Sequence, residues 1–226
     1  MTGALLPVTL LGAVLGLDTV SFPQAMLSRP LVAATLGGTL IGSPLSGLLA
    51  GAALELIAVE TLPFGASRYP EWGSASAVGG ALVASHPEHP PGAMTLAIVA
   101  ALSTAWFGGW TMVKLRQRNA VWAAQSRGAL DAGARGAVIS VQLKGLTGDL
   151  VRGALLTAVS WALFAPLTAW SLSRWTVDAR ASRAFVVAVA VSVAAGATWK
   201  LFHASIPARW LFAAGLVAGV TLMAVR

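Results

Sequence analysis

Residues 28–73 read "SRPLVAATLGGTLIGSPLSGLLAGAALELIAVETLPFGASRYPEWG", and their reading decides the fold. Two apolar pieces, 31–41 and 45–59, are parted by Gly42-Ser43-Pro44. Each is too short to cross a bilayer alone, since a spanning helix needs about 20 residues. Gly37, Gly38, Gly42, Gly47, Gly51, Ala52 and Ala53 dominate the pair. Small residues let helix backbones approach closely. The spacing predicts a helical hairpin, either re-entrant or buried. Pro63 and Gly65 then end the second helix, and Pro70 and Gly73 bracket another break. Between 55 and 73 lie three of the chain's eight acidic residues: Glu55, Glu60 and Glu71.

The rest of the chain is as apolar. It has 226 residues, 57% of them hydrophobic and only 10% charged. The mean hydropathy is +0.77. Soluble domains carry roughly 25% charged residues, so the bilayer is the expected solvent. The first residues, "MTGALLPVTLLGAVLGLD", hold no base and lack the charged start of a secretory signal. They read as a first membrane segment. No cysteine is present, which excludes disulfides and thiol chemistry. The net charge of +7 is spread between apolar runs and suits cytoplasmic loops and lipid headgroups, not nucleic acid.

The segment "DTVSFPQAMLSRP" (18–30) interrupts the first apolar runs with Asp18, Gln24, Arg29 and two prolines. Such a break survives at membrane depth only where protein or a water-filled cavity covers it. Residues 74–85 form another short small-residue helix, and "HPEHPPG" (86–92) a turn. Residues 93–113 make a full span. Lys114, Arg116, Arg118, Arg127 and Arg135 follow, against the single acid Asp131. The positive-inside rule puts this segment in the cytoplasm, and it reads as an amphipathic helix at the interface. Further apolar runs cover 150–173, 184–199 and 207–225, with Trp170, Trp175, Trp199 and Trp210 near their ends. The expected fold is therefore all-α: a polytopic membrane protein with short, broken and re-entrant helices in its N-terminal part and longer spans, four in all, after them. Interrupted short helices with carboxylates between them point to a transporter binding site.

A carboxylate at membrane depth costs roughly 2.5–3.5 kcal/mol on insertion scales, so each is weighed. Glu55 either serves a ligand or binds a helix N-terminus or pairs with Arg29 or Arg68. Glu60 projects about 140° round the helix from Glu55 and suits a site or the water boundary equally. Glu71 either accepts two sugar hydroxyls, with Tyr69 and Trp72 as an apolar face for the ring, or caps its own loop with Arg68 as an i, i+3 partner. Gln24 both donates and accepts, as a hydroxylated ligand requires. His86, His89 and His203 show no metal spacing, and no phosphate loop or nucleophile elbow is present. No metal, cofactor or covalent chemistry is expected.

The ordered set "SRPLV", the "G-small-P-x-x-G-L-x-x-G" hairpin, "LEL" with Glu55, and the "PFGA…YPE" loop resembles the IIC subunit of the mannose/fructose/sorbose family of the sugar phosphotransferase system. The resemblance is dense over residues 10–85. It implies one membrane-embedded permease domain over 1–226, in the bacterial inner membrane. It also implies a hetero-oligomer with a IID membrane subunit, and cytoplasmic IIA and IIB phosphocarriers. A hexose would be bound from outside and phosphorylated by a IIB phosphohistidine. By position in the motifs, Gln24, Glu55 and Glu71 are the first candidates to hold the sugar, and Arg29, Glu60, Ser67 and Arg68 the second. Pro70-Glu71 stands where the family's common form has a Pro-Asp pair, Arg68 adds a cation to the loop, and the C-terminus at Arg226 is shorter than expected of the family. A non-transporting scaffold or regulatory protein of the same fold is the alternative. A subunit of an unrelated importer, with 114–135 as a coupling helix, is a weaker one.

Overall fold

The computed structural model describes residues 2–59, 68–202 and 206–224. Among the described residues there are helices and no strand: α1 (Thr2–Asp18), α2 (Pro30–Leu40), α3 (Pro44–Ala58), α4 (Trp72–Ala84), α5 (Pro90–Gln125), α6 (Arg127–Asp131), α7 (Arg135–Leu172), α8 (Ala179–Phe202) and α9 (Ile206–Ala224). Proline opens α2, α3 and α5. Its missing N–H costs nothing in a first turn, where that group has no helical acceptor.

The α2–α3 hairpin closes through Gly42, whose φ of +93° suits a residue without Cβ. The Ile41 and Ser43 N–H groups both donate to the Gly38 carbonyl there. The hairpin packs on α4 with almost no side chain between the backbones. A Cβ on Gly80 of α4 would lie 2.1 Å from the Ala34 carbonyl oxygen of α2, and one on Gly37 would lie 2.3 Å from the Ala77 oxygen. α4 is the centre of the molecule, and all thirteen of its residues are buried. Helices α1, α2, α3, α5 and α7 surround it. α1 lies as closely on α7, where a Cβ on Gly16 would meet the Gly153 Cα at 2.9 Å.

Three described helices are long and apolar enough to cross a membrane, over 91–125, 135–172 and 179–196. The described part of the fourth expected span, 207–225, lies in α9, which is not among those three. α1 to α4 are apolar but short, at 17, 11, 15 and 13 residues. Their outward residues are large and apolar: Leu6, Leu10, Leu45 and Leu49 are each more than half exposed, as a lipid-facing surface requires. The basic segment 114–135 departs from expectation. It is not a separate interfacial helix; it is the end of α5, the short α6 and the start of α7. Lys, Arg, Gln, Ala and Leu all favour helix, so α5 runs on without a stop signal where the apolar stretch ends. At about 1.5 Å per residue, the 36 residues of α5 and the 38 of α7 outreach the roughly 30 Å hydrocarbon core.

Candidate functional site

The site grows from the break between α1 and α2. Asp18 ends α1 and is 2% exposed. Its Oδ1 accepts the Ala25 N–H at 2.7 Å and its Oδ2 the Ser28 N–H at 2.8 Å. Either side of Ala25 the chain makes two uncommon moves: Gln24 and Met26 have φ of +57° and +62°. A left-handed non-glycine residue costs on the order of 1–3 kcal/mol. Each hydrogen bond to a charged group contributes about 1.5–3 kcal/mol, so the two bonds to Asp18 are of the size needed to hold the segment. Gln24 is exposed, and its amide donates to the Val20 carbonyl at 2.9 Å. Its carbonyl and one further N–H remain for other partners.

This segment and the start of α4 enclose a cavity of about 350 Å³. That falls within the roughly 300–1,000 Å³ of small-molecule sites. Asp18, Gln24, Ser28 and Arg29 give it polar walls, and Tyr69 and Trp72 give it aromatic ones. Donors, acceptors and ring faces thus meet in one space.

Three supports stand behind the walls. Arg29 forms an ion pair with Glu55, and the other Glu55 oxygen accepts the Leu31 N–H at 3.1 Å. One carboxylate thereby orients the arginine and satisfies the first turn of α2, where the helix dipole favours negative charge. Tyr69 is buried, and its hydroxyl accepts from Arg116 Nη2 at 2.7 Å. The Arg116 guanidinium lies 5.0 Å from the ring centroid. Glu71 is 0% exposed. Its oxygens accept the Ser74 N–H at 3.2 and 3.3 Å as the N-cap of α4, and its own N–H donates to the Ala105 carbonyl at 2.9 Å.

The structure thus brings Gln24 and Arg29 into the cavity wall and sets Glu55 directly behind Arg29. Glu71 caps α4 and is not among the lining residues. The Arg68–Glu71 ion pair does not form. Arg68 donates to the Trp106 carbonyl at 3.3 Å and lies 4.8 Å over the Trp106 ring. A buried carboxylate gains more from helix N–H groups than from an arginine reaching in from the surface. Glu60 and Ser67 lie outside the described residues. The sequence reading passed over Asp18, although an acid closing an apolar run just before a proline-rich break is the available signal.

It also passed over a polar latch on α7. Asp149 and Arg152 are both buried and paired at 3.4 Å. Ser21 donates to the other Asp149 oxygen, and Arg152 Nη2 donates to the Gly16 carbonyl at 3.3 Å. The latch ties α7 to the segment that carries Gln24. Among the described residues no group of three His, Asp or Glu could hold a metal ion.

The fold is that of a multi-pass helical membrane protein with a polar cavity at a helix break. The solved structures agree on the fold. One, described only as a structure of a membrane protein, has a TM-score of 0.66 at 20% identity, covering 100% of this chain and 94% of that one. A cryo-EM structure of the mannose transporter ManYZ with microcin E492 has a TM-score of 0.62 at 18% identity, with coverages of 100% and 94%. No curated protein sequence matches the chain. The family described as the sorbose-specific IIC component of the phosphotransferase system matches residues 3–169. The chain belongs to that family, and is a permease subunit of a sugar phosphotransferase system.

Proposed function

We propose that this chain binds and translocates a hexose as the IIC subunit of a mannose/fructose/sorbose-type system in a bacterial inner membrane. The observation that carries the reading is the cavity at the α1–α2 break, lined by Asp18, Gln24 and Arg29 together with Tyr69 and Trp72. A sugar hydroxyl both donates and accepts. Asp18 offers acceptor sites beyond the two that its backbone bonds use, Arg29 offers donors, and Gln24 offers both. The aromatic walls suit the apolar face of a pyranose ring. In this reading Glu55 acts through Arg29, whose guanidinium it holds. Glu71 acts through the loop 68–71, whose shape it fixes, and Arg68 secures that loop's outer side. The whole chain acts as one permease domain.

The partners in this reading are a IID membrane subunit and the cytoplasmic IIA and IIB phosphocarriers. A IIB phosphohistidine gives its phosphoryl group to a sugar hydroxyl: the P–N bond breaks, an O–P bond forms, and the hydroxyl proton leaves. This chain supplies position, not the donor. The likeness of fold to ManYZ and the family match support the IID assignment.

The test is hexose binding to the chain reconstituted with IID in nanodiscs, followed by phosphoenolpyruvate-dependent uptake with IIA and IIB. Saturable binding of one hexose is expected, weakened at least tenfold by Arg29→Ala or Gln24→Ala while the complex stays monodisperse. No binding of any hexose, together with no uptake, would overturn the reading in favour of a scaffold.

A further inference from the structure

A second cavity, of about 740 Å³, runs as a groove between α5 and α7 and shares no lining residue with the first. Its two ends differ in kind. At one end stand Lys114 and Arg118 of α5, one helical turn apart, with Arg152 of α7 deeper in. Towards the other end the α7 wall is Leu155, Val159 and Leu163, each more than half exposed. The lining contains no carboxylate.

The register of the two helices sets the scale. A Cβ on Gly148 would meet Leu115 at 2.8 Å, and one on Gly108 would meet Leu156 at 2.8 Å. The helices run antiparallel, with Arg152 level with residues 111–112. At about 1.5 Å per residue, Arg118 lies roughly 10 Å from the Arg152 level, and the α7 wall from 152 to 163 extends roughly 17 Å further. One leaflet of a bilayer has about 15 Å of hydrocarbon. Cations thus occupy a headgroup's depth, and apolar residues an acyl chain's length. The basic end is the one that the positive-inside rule puts at the cytoplasm.

Arg152 adds a second, independent observation. It is 8% exposed, and its Nη1 is buried without a hydrogen-bond partner. Asp149 and Gly16 occupy its Nε and Nη2. A buried donor left unmade is costly, and an anion in the groove would relieve it. We propose that this groove binds one anionic phospholipid of the cytoplasmic leaflet, its phosphate held among Lys114, Arg118 and Arg152 and an acyl chain laid along Leu155, Val159 and Leu163. An apolar helix from another subunit fits less well, because it would bury Lys114 and Arg118 with no anion to meet them. Basic pockets between membrane helices at this depth commonly take acidic headgroups.

Native mass spectrometry of the full chain, from nanodiscs of equal phosphatidylglycerol and phosphatidylcholine, tests this. One retained phosphatidylglycerol per chain is expected, unaffected by excess glycerol phosphate, which carries the anion but no acyl chain. Each surface cation contributes about fivefold, so Lys114→Gln/Arg118→Gln should reduce the preference roughly 30-fold. Both side chains are exposed and Arg152 is untouched, so the fold should hold. Leu155→Trp should expel the lipid with the charges intact. Equal retention of the two lipids would overturn the proposal, as would full retention by the double variant or the tryptophan variant. So would a photo-crosslinker at Val159 that captures protein, whether IID or a second copy, instead of lipid.

Discussion

α4 is thirteen residues long and buries all thirteen; α7 is thirty-eight long and buries nine. The two touch, yet they meet the membrane by opposite means. α4, "WGSASAVGGALVA", is built from residues small enough for five other helices to close on it. Its packing is backbone against backbone. α7 buries Asp149, Arg152, Gly153, Thr157, Ser160, Trp161, Ala165, Thr168 and Leu172, a stripe whose positions 149, 153, 157, 161, 165, 168 and 172 have the three- and four-residue spacing of one helix face. That stripe is largely polar, and the outward face is apolar, the reverse of a soluble helix. The short helices create the cavity because they end inside the protein. The long helix lines none of it but, through Asp149 and Ser21, holds the segment that does.

The contrast can be broken at four places. The largest effect belongs to the latch. Asp149→Leu strands a buried Arg152 and should cost about 3–5 kcal/mol, read as a lower midpoint in denaturing-detergent titration and a smaller monodisperse fraction. Next is backbone packing: Gly80→Val puts carbon 2.1 Å from the Ala34 oxygen and should cost about 1–3 kcal/mol. Gly136→Ala in α7, where a Cβ meets nothing within 4 Å, should not lower the midpoint; equal losses at both would end the distinction between the two regions. Third, Asp18→Ala removes the acceptor of two backbone N–H groups. It should cost about 1–3 kcal/mol, and hydrogen exchange at residues 25–28 should quicken more than in α4. The smallest stability effect belongs to Glu55→Gln. The Arg29–Glu55 pair is partly exposed, at 41% and 21%, so it should contribute under about 1 kcal/mol. Hexose affinity should nonetheless fall severalfold, because Arg29 loses its orientation. Unchanged affinity would detach Glu55 from the site.

Much of this was legible in the residues. The hairpin followed from two short apolar runs about Gly42-Ser43-Pro44, and α4 from the small-residue run after Pro70. For Glu55, two of the three bland partners named, a helix N-terminus and Arg29, are present at once, while Arg68 lies on Trp106. What was not legible needed distance along the chain. Ser21 and Asp149 are separated by 128 positions, and no local pattern announces that they meet. The separate helix expected after Lys114 was misread for another reason. Hydropathy marks where a helix leaves lipid, not where it stops, and helix-forming residues carry α5 on to Gln125. Arg68 and Glu71 have the spacing of an ion pair, but that spacing pairs side chains only inside a helix. Glu71 is an N-cap, and Arg68 precedes it outside any helix.

The enclosure of α4 also sets an order of events in synthesis. Its thirteen residues rise about 20 Å, short of the roughly 30 Å that lipid would ask of a free-standing span. Two of its five neighbours, α5 and α7, come later in the chain. Leu172 follows Ala84 by 88 positions, about 4–18 s of translation at roughly 5–20 residues per second. Over that interval the most buried helix of the finished protein lacks two of its walls, so its final seating is a late step although its residues are made early.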